Sequence, residues 1–430
     1  MKAFSRALSS VVEVGREILA RRMPTLHSGA SPAVELTGLC QELLEHRGEA
    51  SGLALASEIA QAYQQLDSGE KALFFDSLLQ DFGVDDEAIF AATERYRKAP
   101  DPEHLAAIGR VVEASRLKLF RRLNMAADGT RILVGMRGEL QALLRDRPEL
   151  RAVDADLRHL FVSWFNKGFL EMQQISWDTP ASVLEKIIEY EAVHAINGWD
   201  DLRNRLRKDR ACFGFFHPAM PGDPLVFVEV AFTGALPDAI APLLEQQRER
   251  VDPANMDTVV FYSISNCHRG LAGISFGNFL IKQVVEEVRE EHPGINTFVT
   301  LSPVPGFCRW LQSARLDDLI DESLHQVVRE PVGQVVATEV RDALIKLCAH
   351  YLLEQKSGRL ALDPVARFHL GNGARLHRLH WAADLSEKGK QQSAGIMVNY
   401  LYDLKHIEIN HEEYFDQGLI AASRTISRLL

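Results

Sequence analysis

The chain has 430 residues, 46% of them hydrophobic and 25% charged, which is ordinary globular composition and enough length for two or three domains. A formal net charge of -11 argues against a general nucleic-acid surface, and no apolar run reaches the length of a membrane span. Cys40, Cys212, Cys267, Cys308 and Cys348 are odd in number, widely spaced and free of any CxxC, so reduced thiols are expected, with no zinc ribbon, disulfide framework or structural metal.

The first segment, MKAFSRALSSVVEVGREILARR, is basic and serine-rich like a transit peptide, but Glu13 and Glu17 interrupt it and no small-residue cleavage site follows. The terminal Arg428-Leu429-Leu430 is not a peroxisomal Ser-Lys-Leu signal, and a cytoplasmic location is expected. From Ser5 to about Ile175 the pattern is helical almost throughout. Ala33 to Arg47, Leu53 to Leu66, Lys71 to Phe82, Glu87 to Arg97 and His104 to Leu123 place apolar residues at three- and four-residue steps. Asp67 with Glu70 reads as a capping box. Nothing here groups a nucleophile with a base, so residues 1–166 are read as a helical scaffold or oligomerisation domain.

Residues 167–430 read as a mixed α/β catalytic domain, making the fold class α+β. After Trp177-Asp178-Thr179-Pro180 a helix is expected over Ser182 to His194. Strands are expected at Cys212 to Phe216, Leu225 to Phe232, Thr258 to Ile264, Thr297 to Leu301, Ala366 to Leu370, Arg375 to Trp381 and Gly395 to Tyr402. Between them fall helices at Asp238 to Glu249, Ser275 to Glu291, Glu339 to Gln355 and Glu412 to Arg428.

Two stretches carry chemistry. Asn266 to Ile281, NCHRGLAGISFGNFLI, follows a strand and opens a helix. A glycine-rich loop at a helix N-terminus offers backbone amides to a phosphate or pyrophosphate, although the spacing is neither a Walker loop nor GxGxxG. Glycines at such a turn also serve backbone geometry alone. The second stretch is Leu301 to Trp310, LSPVPGFCRW. Proline fixes φ and biases the preceding residue toward extended geometry, so Pro303 and Pro305 hold the Ser302 hydroxyl on a stiff turn at a strand end.

Arg-Gly followed by small residues and an amphipathic helix resembles the pyrophosphate loop of GNAT-type acyltransferases, with one residue more than the usual pattern. The wider text is more specific. HPAMPGDPLVFVEVA (217–231), VVFYSIS (259–265), GLAGISFGNFLIKQVV (270–285), LSPVPGFCRWL (301–311), PVARFHLGNGA (364–374) and MVNYLYDL (397–404) together resemble the malonyl-CoA decarboxylase family. That resemblance implies a helical domain followed by a GNAT-like catalytic domain, a homo-oligomer (dimer or tetramer), and conversion of malonyl-CoA to acetyl-CoA and carbon dioxide. It implies Ser302 as proton acceptor or relay and carboxylate-positioning group, His369 as proton donor to C2, and a CoA loop of Ala272, Gly273, Ile274, Ser275, Phe276, Gly277 and Asn278. His268-Arg269 stands where the family's pattern has glutamines.

The chemistry is consistent with these residues. Loss of carbon dioxide leaves a thioester enolate, so the substrate is its own electron sink and no metal, biotin, pyridoxal phosphate or thiamine is expected. An imidazole titrating near neutral pH suits protonation of C2, and a rigid hydroxyl suits positioning. Asn399 and Tyr400 are candidate pocket residues, or else a sheet-packing pair. His377 and His380 fall on opposite faces of a strand, so no metal pair is expected. Asn372 between two glycines reads as a hairpin turn, His217-Pro218 and Asn266 as loop structure, and His411-Glu412-Glu413 as a helix start. The rival functions are a GNAT-type acyltransferase, needing an acceptor-amine site, and a non-enzymatic acyl-CoA-binding protein. A serine hydrolase would want GxSxG and an acidic partner, and neither is evident.

Overall fold

The computed structural model describes residues 10–18, 31–245, 256–274, 276, 279–330 and 337–430. It divides into two compact units. The first runs to Leu170 and takes in two later segments, His217–Pro221 and one that begins at His268; the second holds the rest from Glu171 onward.

The first unit is helical. Pro32–Glu45, Glu49–Gln65, Ser68–Gln80 and Asp86–Lys98 fall where apolar periodicity places them. Their buried faces supply Leu36, Ile59, Phe74 and Phe75 to the core. The expected box at Asp67 forms by half: Asp67 accepts from the Glu70 amide at 2.9 Å, while the Glu70 carboxylate accepts from the Ala33 amide at 2.8 Å instead of reaching back. The single helix expected over His104 to Leu123 is two, Pro102–Val111 and Ser115–Leu123. Gly129–Leu143 and Arg151–Trp164 complete the bundle.

The second unit is built on one sheet of eight strands, ordered β1-β2-β3-β4-β5-β10-β6 with β9 on the other side of β10. The strands are β1 Glu171–Ile175, β2 Arg210–Phe216, β3 Pro224–Thr233, β4 Thr258–Asn266, β5 Thr297–Thr300, β6 Ser302–Pro303, β9 Arg375–His380 and β10 Met397–Leu401; β7 Lys356–Ser357 and β8 Leu360–Ala361 form a separate two-stranded ribbon. Among the described residues only strands β4 and β5 pair in parallel, the others pairing antiparallel. A parallel pair needs a crossover, supplied by Phe279–Glu291.

Four expectations are corrected. Glu171–Ile175, read as the end of the helical region, is edge strand β1; its polar EMQQI has one buried residue, so no alternation announces it. Ala366 to Leu370 is not a strand but part of the helix Pro364–Gly371, started by an Asp363 cap and a proline in the first turn. Asn372 is therefore that helix's C-cap, with Gly373 at φ +81°, and not a hairpin turn. Glu412 to Arg428 is two helices, Ile407–Gln417 and Arg424–Ser427, separated where Gly418 takes φ +68°, so His411 lies within the first of them and not at a helix start. Of the helix expected over Asp238 to Glu249, Ala241–Leu244 is helical and 246–249 lie outside the described residues.

Candidate active site

The described residues 268–274 of the glycine loop belong to the first unit and Phe276 to the second. Gly270 is packed so tightly on the helix Gly129–Leu143 that a Cβ there would lie 1.8 Å from the Val134 carbonyl oxygen, which only glycine avoids. Arg137, 2% exposed, holds the loop backbone: its Nη1 donates to the carbonyls of Gly270 at 2.6 Å and Ala272 at 2.9 Å, and its Nε donates to Asp154 at 2.9 Å. The amides of Leu271, Ala272 and Ile274 are occupied by turn hydrogen bonds to His268, Arg269 and Leu271. Features suited to an anion remain at Gly273, exposed and at φ +74°, where the Arg158 Nε stands 3.8 Å from the position of a Cβ. Ile274 and Phe276 are buried, and Ser275, Gly277 and Asn278 lie outside the described residues.

The dyad belongs to the second unit, and strand parity assembles it. Val299 and Leu301 enter an apolar cluster with Val260, Tyr262 and Met397, which turns Thr300 and Ser302 to the opposite face. There the Ser302 hydroxyl donates to Thr300 Oγ1 at 2.8 Å and lies 3.1 Å from His369 Nε2. His369 arrives from the helix Pro364–Gly371, whose buried face is Ala366, His369 and Leu370, the three- and four-residue spacing of a helix. Tyr400 of β10 and Tyr402, one residue past the strand's end, approach His369 from one side. Tyr400 stacks on the imidazole at 4.6 Å and 26°, and the Tyr402 hydroxyl lies 2.7 Å from Nδ1. With Ser302 donating to Thr300, Oγ accepts from Nε2–H, and Nδ1 accepts from the Tyr402 O–H.

Ser302 and His369 are 6% and 3% exposed, and burial drives the imidazole down to about 3. At neutral pH the ring is uncharged, unlike the near-neutral titration expected from sequence. The tyrosines are also held neutral, both pushed up by burial.

Thus the structure brings Ser302, His369 and Tyr400 together. Asn399 stands one step behind: buried, it donates to the Thr300 carbonyl at 2.8 Å and pairs with His380 Nε2 at 2.6 Å, fixing the strand that carries Ser302. His217 packs on Phe165 within the first unit and serves loop structure. Sequence reading missed Thr300, Tyr402, Arg137 and Arg158. The first two had a signal in the two-residue spacing of Thr300 with Ser302 and of Tyr400 with Tyr402; the two arginines had none.

Residues 168–430 match the model of the malonyl-CoA decarboxylase C-terminal domain, and residues 82–165 that of its N-terminal domain. Mitochondrial malonyl-CoA decarboxylases of Anser anser anser and Rattus norvegicus are 32% and 33% identical, aligned over 95% and 96% of this chain and 87% and 90% of theirs. The crystal structure of malonyl-CoA decarboxylase from Rhodopseudomonas palustris is 48% identical with a TM-score of 0.89, covering 93% of this chain and 100% of that one. That from Agrobacterium vitis is 47% identical with a TM-score of 0.84, covering 92% and 99%. With both domains matched and the likeness running nearly end to end, the chain belongs to the malonyl-CoA decarboxylase family of carboxy-lyases.

Proposed function

We propose that this chain decarboxylates malonyl-CoA to acetyl-CoA and carbon dioxide, with Ser302 and His369 as its reacting side chains. The observation that carries the reading is the 3.1 Å contact between Ser302 Oγ and His369 Nε2, closed on its far side by Tyr402 and, among the described residues, by no carboxylate. A serine hydrolase needs an imidazolium stabilised by an acid. Here the ring is driven away from its charged form by burial.

In decarboxylation the bond between C2 and the carboxylate carbon breaks, its electron pair passes into the thioester as an enolate, and carbon dioxide leaves. Ser302 holds the departing carboxylate out of the thioester plane. The enolate then takes a proton at C2 from His369 Nε2, and because the reaction consumes one proton overall the ring recovers its own from solvent, the Tyr402 O–H on Nδ1 keeping the ring's proton at Nε2. A neutral imidazole can serve because the thioester enolate is far more basic than the imidazole anion, and because a dry site with fixed dipoles stabilises the enolate without reorganisation. The thioester is the electron sink, so the reading needs no metal or organic cofactor. The loop from Ala272 to Asn278 is assigned to the CoA phosphates on the strength of Gly273 and the Arg158 guanidinium beside it.

The test is direct. Purified protein supplied with malonyl-CoA and no added cofactor should release acetyl-CoA and carbon dioxide in equal amounts. Release of malonate and free CoA would indicate hydrolysis, and no turnover by protein that binds CoA would remove the assignment. A cytoplasmic location and a dimer or tetramer joined through residues 1–166 belong to the same proposal, checked by fractionation and light scattering; among the described residues no helix is long and apolar enough to cross a membrane.

A further inference from the structure

Asp363 is 1% exposed, and among the described residues no cation is a hydrogen-bond partner of it. Its Oδ1 accepts from the amides of Val365 at 2.9 Å and Ala366 at 3.0 Å, capping the helix that carries His369. Serine, threonine or asparagine would cap as well. The residue's second oxygen shows why a carboxylate is kept despite the cost of burying one. Oδ2 accepts from the Gly306 amide at 3.1 Å, across 57 residues of sequence, with the Tyr351 hydroxyl 3.5 Å away.

Gly306 ends the stiff turn that begins at Ser302. The turn's near end is fixed by β6 pairing with β10, Ser302 opposite Val398 and Pro303 opposite Met397. Two prolines leave little slack between the anchors. The far end is packed closely too: a Cβ at Gly306 would lie 2.1 Å from the Tyr351 hydroxyl and 3.2 Å from Asp363 Oδ2.

We propose that Asp363 is a positioning residue for the reaction, one oxygen tying down the His369 helix and the other the Ser302 turn, so that a single side chain sets the separation of the dyad. This rests on the decarboxylase reading. Asp363→Asn separates the two duties: the amide oxygen still caps the helix, while its NH2 faces the Gly306 N–H, donor against donor. The variant should melt within a few degrees of wild type and keep KM for malonyl-CoA within about twofold, with kcat lower by about tenfold or more, as loss of sub-ångström positioning requires. A folded Asp363→Asn enzyme with wild-type kcat overturns the proposal, as does a fall in CoA affinity at unchanged kcat. Hydrogen exchange on the wild-type protein provides an arm that needs no variant. The Gly306 amide should exchange at least about a hundredfold more slowly than in a free peptide, and unprotected exchange overturns the clamp. A wild type without turnover would strike at the decarboxylase reading, while exchange at Gly306 would still decide the clamp.

Discussion

The glycine loop of the first unit and the Ser302–His369 pair of the second are fixed by opposite means. In the first, a full charge fixes the loop: Arg137, 2% exposed, is held against Asp154 at 2.9 Å and against two backbone carbonyls. In the second, Thr300, Ser302, His369 and Tyr402 are joined by hydrogen bonds of 2.7 to 3.1 Å among neutral groups. A buried ion pair is costly to disturb because either partner alone is an uncompensated charge. A neutral hydrogen-bonded chain fixes its members without burying a charge, so that charge arises only in the chemical step. A fixed backbone and a mobile proton are different requirements, and the loop and the Ser302–His369 pair each have the electrostatics suited to their own.

The largest expected effect comes from removing the charge. Arg137→Ala should destabilise the first unit by about 3 kcal/mol, read as a lowered denaturation midpoint; an unchanged midpoint would mean that the ion pair is incidental. Next come the dyad variants. His369→Asn and Ser302→Ala should each lower kcat by at least about a hundredfold, near 2.7 kcal/mol, with smaller effects on KM. Equal activity in either variant would dismiss that residue from the reaction. Tyr402→Phe keeps the ring and deletes the hydroxyl on Nδ1, and a loss in kcat of about tenfold at unchanged KM is expected. Arg158→Ala should weaken CoA binding by about fivefold in a titration and leave the Ser302–His369 chemistry intact.

The remaining effect is on pH dependence. The folded imidazole of His369 is lowered to about 3, whereas in an unfolded chain it titrates near 6.5. The unfolded state therefore binds this proton more readily, so stability is fully present above about pH 6.5 and is lost as pH falls toward 3. Wild type should lose more stability than His369→Asn between pH 7 and pH 4.5, and its kcat profile should lack an inflection near 6.5. An inflection there would return the ring to the charged form.

Much of this was legible in the sequence where a local rule decided the outcome. The stiff turn at Ser302 followed from Pro303 and Pro305, and the helices of the first unit from apolar periodicity. His369 was found through its motif but placed on a strand, because five residues of mixed apolar character satisfy either period; Asp363-Pro364 was the overlooked signal of a helix start. The neutral state of His369 was not legible. It depends on burial beneath Tyr400, an arrangement that joins residues 31 positions apart. Arg137 was equally silent, because the loop groups it holds are backbone carbonyls, which every residue carries.

One irregularity in β10 has a wider implication. The ladder between β9 and β10 slips between Asn399 and Tyr400, and the Tyr400 amide donates to the Thr300 side chain at 3.2 Å. Tyr400 and Tyr402 keep their common side only while that spacing holds. Point changes along the strand can be absorbed by repacking, but loss of one codon between Met397 and Asn399 would rotate both rings into the apolar layer, leaving the imidazole without its companions. In a collection of random variants, short in-frame deletions here should abolish turnover at a far higher rate than substitutions at the same positions.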